Sequence, residues 1–289
     1  MTLPNLLIIG AAKSGTTSLH NYLNQHPDVF MSKHKEPHFL INNEIGCKRI
    51  PNGINNLQDY SNLFLDGASH KYRGESSAMY LQFPEITTKN IDRYLDKDVK
   101  IVIMLRNPIE RAFSGYQHVK RYNIDENLGF KEALEKCEER YFKNNNITPA
   151  SRYIHIGMYY NFVRKFKLKF NDNIHIILYS DFINNTHKEL SKLFCFLDIK
   201  DKKIDVNKQY MVGGWKWKNK FLRKIFMGKY ILKKVIPFRR HIRIALKSFV
   251  TAPTEEMDDG IRNKLKEIYK DDILKLSEFL KIDLNFWIK

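Results

Sequence analysis

The sequence predicts an α/β protein, a three-layer sandwich with a central parallel sheet and helices on both faces. Three short runs predict it: residues 6–10 (LLIIG), 99–106 (VKIVIMLR) and 174–182 (IHIILYSDF). Each is dominated by Ile, Leu and Val with little polar alternation, as expected of a parallel strand covered on both sides. Helical patterns lie between them. Strand alternating with helix implies right-handed crossovers and a parallel sheet.

The elements follow in order. Strand 6–10 ends in glycine and leads to a helix over 16–24. A weaker strand, 71–77 (KYRGESS), precedes a helix over 84–95 with Pro84 in its first turn. Strand 99–106 exits through charged residues into a helix over 108–121, opened by Pro108. A helix over 152–170 precedes strand 174–182, and another follows over 187–197. No internal repeat, low-complexity linker or domain boundary interrupts the pattern, so residues 1–289 are expected to form a single domain.

Composition narrows the class. The 289 residues are 43% hydrophobic and 13% aromatic, enough for a sizeable core, which excludes a disordered chain. The net charge of +17 points to polyanionic partners: nucleic acid, anionic lipid, or phosphate- and sulfate-bearing molecules. Cys47, Cys137 and Cys195 are odd in number, far apart and without C-x-x-C spacing. That argues against a disulfide scaffold or zinc cluster and suits a reducing compartment. No basic, apolar leader opens the chain, and no apolar run approaches the length of a membrane span. The expectation is a soluble, cytoplasmic protein.

Ligands of such sheets bind beyond the carboxyl ends of the strands. The first loop there is IIGAAKSGTTSLHNYL, residues 8–23. It looks like a nucleotide-binding P-loop, but that motif places lysine directly after the second glycine. Here Gly10 and Gly15 bracket Lys13 instead. The expected fold is therefore P-loop-like rather than that of a standard nucleoside triphosphatase. Free N–H groups at the helix start, the helix dipole, the Thr16, Thr17 and Ser18 hydroxyls and the Lys13 ammonium all favour an anion. The plainer reading is a strand–turn–helix whose hydroxyls only cap the helix. A second loop, LRNPIERAFSGYQH (105–118), puts Arg106 at the strand exit and Ser114 about two turns into the helix. Guanidinium and hydroxyl can then meet one phosphate. The plainer reading is a proline-started helix beside a solvated arginine.

Together the two loops resemble the PAPS-dependent sulfotransferase family, in particular its glycan and heparan-sulfate-type branch and bacterial relatives. The donor of that family is 3′-phosphoadenosine 5′-phosphosulfate (PAPS), and PAP is the product. AAKSGTTSL resembles the 5′-phosphosulfate loop and RNPIERAFSGY the 3′-phosphate motif. The resemblance implies that Lys13 reaches the bridging oxygen between phosphate and sulfuryl group. It further implies that Ser14, Gly15, Thr16, Thr17 and Ser18 hold the 5′-phosphosulfate, that Arg106 and Ser114 hold the 3′-phosphate, and that no metal is required. Arg111, in the same motif, has either a structural or a ligand role. In HPDVFMSKHKEPHFL, Glu36, His38 and Phe39 match the segment that carries the general base of the glycan branch. The resemblance makes Glu36 that base, with His38 as its rival. GESSAMYL is similar to a Glu-x-(Ser/Thr)-x-x-Tyr segment near the cleft. Ser77 and Tyr80 then line the acceptor side, or Tyr80 is a satisfied core tyrosine. Residues 159–199 and the tail 269–287 match the late helix–strand–helix and the C-terminal helix of the family.

Between residues 206 and 254 there is no Asp or Glu, and thirteen Lys and Arg fall in that window. In 218–227, Phe221, Leu222, Ile225 and Phe226 share one helical face. This basic segment is read as a cap over the donor, with Gly213, Gly214 and Lys216 or Lys218 as loose matches to family contacts on the 3′-phosphate. A second reading is peripheral contact of 215–249 with an anionic membrane surface or a polyanionic acceptor. Nucleic acid is disfavoured, because no recognised nucleic-acid motif accompanies the strip.

The expected activity is transfer of a sulfuryl group to a hydroxyl of a carbohydrate or glycolipid. A P-loop-like small-molecule kinase is a rival, weakened by the missing G-K-[ST]. A non-catalytic nucleotide or polyanion binder is another, weakened by the presence of Lys13 and Glu36. The acceptor is expected to be framed by two variable loops, 42–62 and 123–150.

Overall fold

The structure is a computed structural model that describes residues 1–123, 126–208, 210, 213–219, 251–254 and 256–289. Residues 220–227 of the amphipathic stretch and the rest of the basic segment through 249 lie outside the described residues.

Five parallel strands form the central sheet: β1 (Leu6–Gly10), β2 (Val29–Met31), β3 (Tyr72–Ser76), β4 (Lys100–Leu105) and β5 (Ile174–Leu178). Their order across the sheet is β2–β3–β1–β4–β5. Leu7 of β1 pairs with Glu75 on one side and Ile101 on the other. Alternate residues of each strand feed opposite faces, which is why the runs read as wholly apolar. Leu7, Ile9, Ile101, Ile103 and Leu105 join one core; Leu6, Ile8, Val102 and Met104 join the other.

The helices divide the same way. α1 (Thr16–Leu23), α8 (Tyr179–Asn184) and α9 (Thr186–Phe196) cover the second core through Leu19, Phe182 and Leu193. The first core is covered by α2 (Phe39–Ile45), α4 (Pro84–Tyr94), α5 (Pro108–Tyr122), α7 (Tyr159–Phe170) and the C-terminal α10 (Asp259–Leu280). This is the three-layer arrangement expected. Pro108 occupies the first turn of α5, and the Asn107 side chain accepts the Ile109 N–H at 3.0 Å.

Some boundaries differ from expectation. The run 174–182 is a strand only to Leu178; Tyr179 starts α8, with Asp181 favourable in its first turn. The helix expected from 152 begins at Tyr159. Two one-turn helices, Pro149–Ser151 and His155–Gly157, precede it. Gly157 lets the Tyr269 ring approach so closely that a Cβ there would lie 2.8 Å from it, and Asp272 of α10 accepts the Tyr160 N–H at 3.2 Å. Tertiary contacts thus set the start of α7. The segments expected as loops, 42–62 and 123–150, contain α3 (Leu57–Asn62) and α6 (Phe130–Lys143). A short antiparallel pair, β6 (Trp215–Trp217) with β7 (Thr251–Pro253), flanks the basic segment.

Leu7 is fully buried at the centre of the sheet. Leu7→Ala should cost about 2–5 kcal/mol, read as a lowered midpoint in urea unfolding with an unchanged slope.

Candidate functional site

Because β1 lies between β3 and β4, the loops leaving the carboxyl ends of these three strands are neighbours. They open on one cleft of about 1190 Å³. Lys13, Gly15, Thr16, Thr17 and Ser18 come to it from β1, Arg106 and Ser114 from β4 and α5, and Glu36 and His38 from the segment before α2. Gly213 and Gly214 lie at its edge, both exposed. Residues far apart in sequence are therefore brought together as expected.

The first loop is shaped by its backbone. Lys13 has φ of 71° and Gly15 φ of 90°, both left-handed. At Gly15 a Cβ would lie 3.1 Å from ring carbons of Tyr179 and 3.3 Å from the Met104 methyl. Glycine is needed there for conformation and for space. Gly15 caps α1, so the N–H groups of Thr16 and Thr17 open the helix toward the cleft, while the Ser18 N–H donates to the Gly15 carbonyl at 3.0 Å. The Ser14 side chain differs from its neighbours: it is fully buried beneath the loop and does not reach the cleft wall.

Cations converge on this loop. Arg106 donates from Nη1 to the Lys13 carbonyl at 3.2 Å, and its guanidinium lies 4.9 Å from the Tyr179 ring centre. Lys13 Nζ is 3.4 Å from His118 Nδ1. Burial, then the charges of Arg121, Arg106 and Lys35, bring the Lys13 ammonium down to about 8, against a smaller opposing pull from Glu36. Burial and the Lys13 charge hold His118 at about 3, so its ring is neutral at pH 7. Arg121 donates to the Trp215 carbonyl from Nε at 3.0 Å and from Nη2 at 2.7 Å, tying α5 to β6.

Facing them is a carboxylate. Glu36 accepts from Lys35 Nζ at 2.7 Å, pairs through Oε2 with His38 Nε2 at 3.1 Å, and accepts the Ala78 N–H at 3.3 Å. Burial works to raise its pKa; the Lys35 charge and the His38 hydrogen bond outweigh it and hold the group well below the usual carboxylate range. The Glu36 side chain is 35% exposed and that of His38 only 6%, so the carboxylate is the more accessible of the two candidate bases.

Other expected residues sit elsewhere. Ser77 and Tyr80 are fully buried behind the cleft, where both hydroxyls donate to Glu75. Ala78 and Met79 form the wall in their place. The satisfied-core alternative for Tyr80 is the arrangement seen. Lys216 and Lys218 are exposed and lie off the cleft wall. Arg111 does line the cleft, though its side chain is buried, with Nη2 donating to the Tyr153 carbonyl. Lys35, His118 and Arg121 were not anticipated. Helical spacing carries the signal for two of them: His118 is four residues and Arg121 seven after Ser114 on α5, the same face.

The sulfotransferase domain family matches residues 3–276 of the chain. The chain belongs to the sulfotransferase family. A crystallised sulfotransferase from Alicyclobacillus acidocaldarius is 27% identical with a TM-score of 0.77, covering 100% of both chains. Mouse carbohydrate sulfotransferase 15 is 27% identical over 249 residues, 68% of this chain and 44% of the relative. Human bifunctional heparan sulfate N-deacetylase/N-sulfotransferase 2 is 34% identical over 122 residues, 42% of this chain and 13% of the relative. The chain thus spans less than half the length of these curated relatives.

Protonated Lys13 is the form that attracts an anion, so affinity for PAP should be highest below about pH 8 and fall as pH rises through it. An anion beside Lys13 raises its pKa, so binding at that pH should take up a proton. Calorimetry in two buffers of different ionisation enthalpy measures that uptake, and Lys13→Ala should abolish it.

Proposed function

We propose that this sulfotransferase moves a sulfuryl group from PAPS to a hydroxyl of a carbohydrate or glycolipid, with Glu36 taking the acceptor proton. One observation carries the reading: Lys13 on the glycine loop and the His38-paired carboxylate of Glu36 line the same cleft as Arg106 and Ser114. The residues fit a donor with anionic groups at both ends. The glycine cradle under Tyr179, the open start of α1 and Lys13 suit a 5′-phosphosulfate, and Arg106 with Ser114 suits a 3′-phosphate.

PAPS, when bound, supplies an activated sulfuryl group on a phosphate leaving group. Lys13, neighboured by other cations, stabilises the charge that develops on that phosphate. Glu36, kept ionised by Lys35 and His38, accepts the proton of the attacking hydroxyl. His38 orients the carboxylate through Nε2. Neutral His118 shares Lys13 and keeps its ammonium aimed across the cleft. Positioning in a site of fixed dipoles supplies much of such catalysis.

The acceptor class draws support from the relatives, whose names specify carbohydrate and heparan sulfate. Gly213 and Gly214 at the cleft edge support a contact of their own loop with the donor. No helix among the described residues is long and apolar enough to cross a membrane. With three unbridged cysteines, the placement we propose is cytoplasmic.

Turnover of labelled PAPS with unsulfated glycosaminoglycan and glycolipid acceptors tests the assignment. Glu36→Gln should lower kcat about 10²–10⁴-fold with PAP affinity retained. Near-normal turnover in the folded variant removes Glu36 from the role.

A further inference from the structure

We propose that Glu75, which has no place on the cleft wall, is the positioning residue that sets the geometry of the Glu36–His38 pair; this rests on reading Glu36 as the proton acceptor. Glu75 lies near the end of β3 and is fully buried. Three hydroxyls surround its carboxylate. Tyr60 at 3.0 Å and Tyr80 at 2.6 Å donate to Oε1, and Ser77 at 2.7 Å donates to Oε2.

A hydroxyl has one proton to donate and lone pairs to accept with. Glu75 takes the protons of Ser77 and Tyr80, so their lone pairs point away from it. Each then accepts a backbone N–H from the segment that carries Glu36. The His38 N–H donates to Ser77 Oγ at 3.0 Å and the Leu40 N–H to Tyr80 Oη at 3.2 Å. These amides belong to the cap and first turn of α2 and have no partner within the helix.

The segment needs such support. Glu36 has φ of 64° and His38 φ of 53°, left-handed values that residues other than glycine hold only where their surroundings impose them. Neighbours of Glu75 add to the same template: the Ser76 carbonyl accepts the Glu36 N–H at 2.9 Å, and the Ala78 N–H donates to Glu36 Oε2 at 3.3 Å. Ser77 is tied in turn to β1, donating its N–H to the Ile8 carbonyl at 3.1 Å. Glu75 therefore fixes where the proton acceptor stands relative to the strand that delivers Lys13.

Only an acceptor at both oxygens does this. In Glu75→Gln, whichever way the amide turns, at least one hydroxyl faces an NH₂ group and loses its acceptor. The test reads backbone amide exchange and the His38 ring nitrogens by ¹⁵N NMR, with PAP titration alongside. In Glu75→Gln, exchange at His38 and Leu40 should quicken roughly 10-fold or more while the amides of residues 6–10 keep their protection. The His38 ring shifts should move, and PAP affinity should not. Ser77→Ala, which keeps the carboxylate, should reproduce the change at His38, and Ser77→Thr, which keeps the hydroxyl, should restore it. Unchanged His38 signals in both Glu75→Gln and Ser77→Ala overturn the proposal, as does an equal loss of protection at residues 6–10. A failure of Glu36 as base appears instead in the turnover of Glu36→Gln and leaves these amide and ring signals as they are, so the two failures are separable.

Discussion

The order of the sheet is the constraint on which the site depends. With β1 set between β3 and β4, three strand exits fall side by side. One brings a glycine loop with a lysine, one an arginine at the start of a helix, and one the buried template against which Glu36 and His38 are held. None of these loops makes a site alone. The parallel arrangement puts all three at the same edge, where the start of α1 also presents free N–H groups.

At that edge, charge is concentrated at some electrostatic cost. Lys13, Lys35, Arg106 and Arg121 are close enough that three of them depress the fourth, and burial adds to the effect. A protein tolerates such crowding when an anion relieves it. The carboxylate opposite is stabilised in its ionised form by a lysine and a histidine. The two halves are joined through the sheet itself: Ser77 bonds β1 while its hydroxyl holds His38.

The strong strands and the glycine loop were legible because their signals are local. Residues 6–10 and 99–106 are apolar on both faces, and a lysine ahead of Gly-Thr is a spacing visible by inspection. β2 escaped because three residues carry no usable period. α6 buries Ala133, Leu134, Cys137 and Tyr141, a helical spacing that is legible in the sequence within the segment expected as loop. The start of α7 was not readable, since it is set by Asp272 and Tyr269 from more than a hundred residues away. The same holds within the site. Arg106, Ser114 and Glu36, singled out by their motifs, line the cleft, and the placement of His118 and Arg121 follows from the period of α5. The destination of Ser77 and Tyr80 did not follow from their motif, because only the fold shows Glu75 behind them rather than a ligand in front.

The most direct test of the account is calorimetric titration of the protein, free of magnesium, with PAP and with adenosine 5′-phosphate. Arg106 and Ser114 on the wall of a cleft lined by Lys13 predict a marked preference for PAP, reduced to near parity in Arg106→Ala. Equal affinity for the two nucleotides in the wild-type protein would contradict a 3′-phosphate site, and with it the proposed donor.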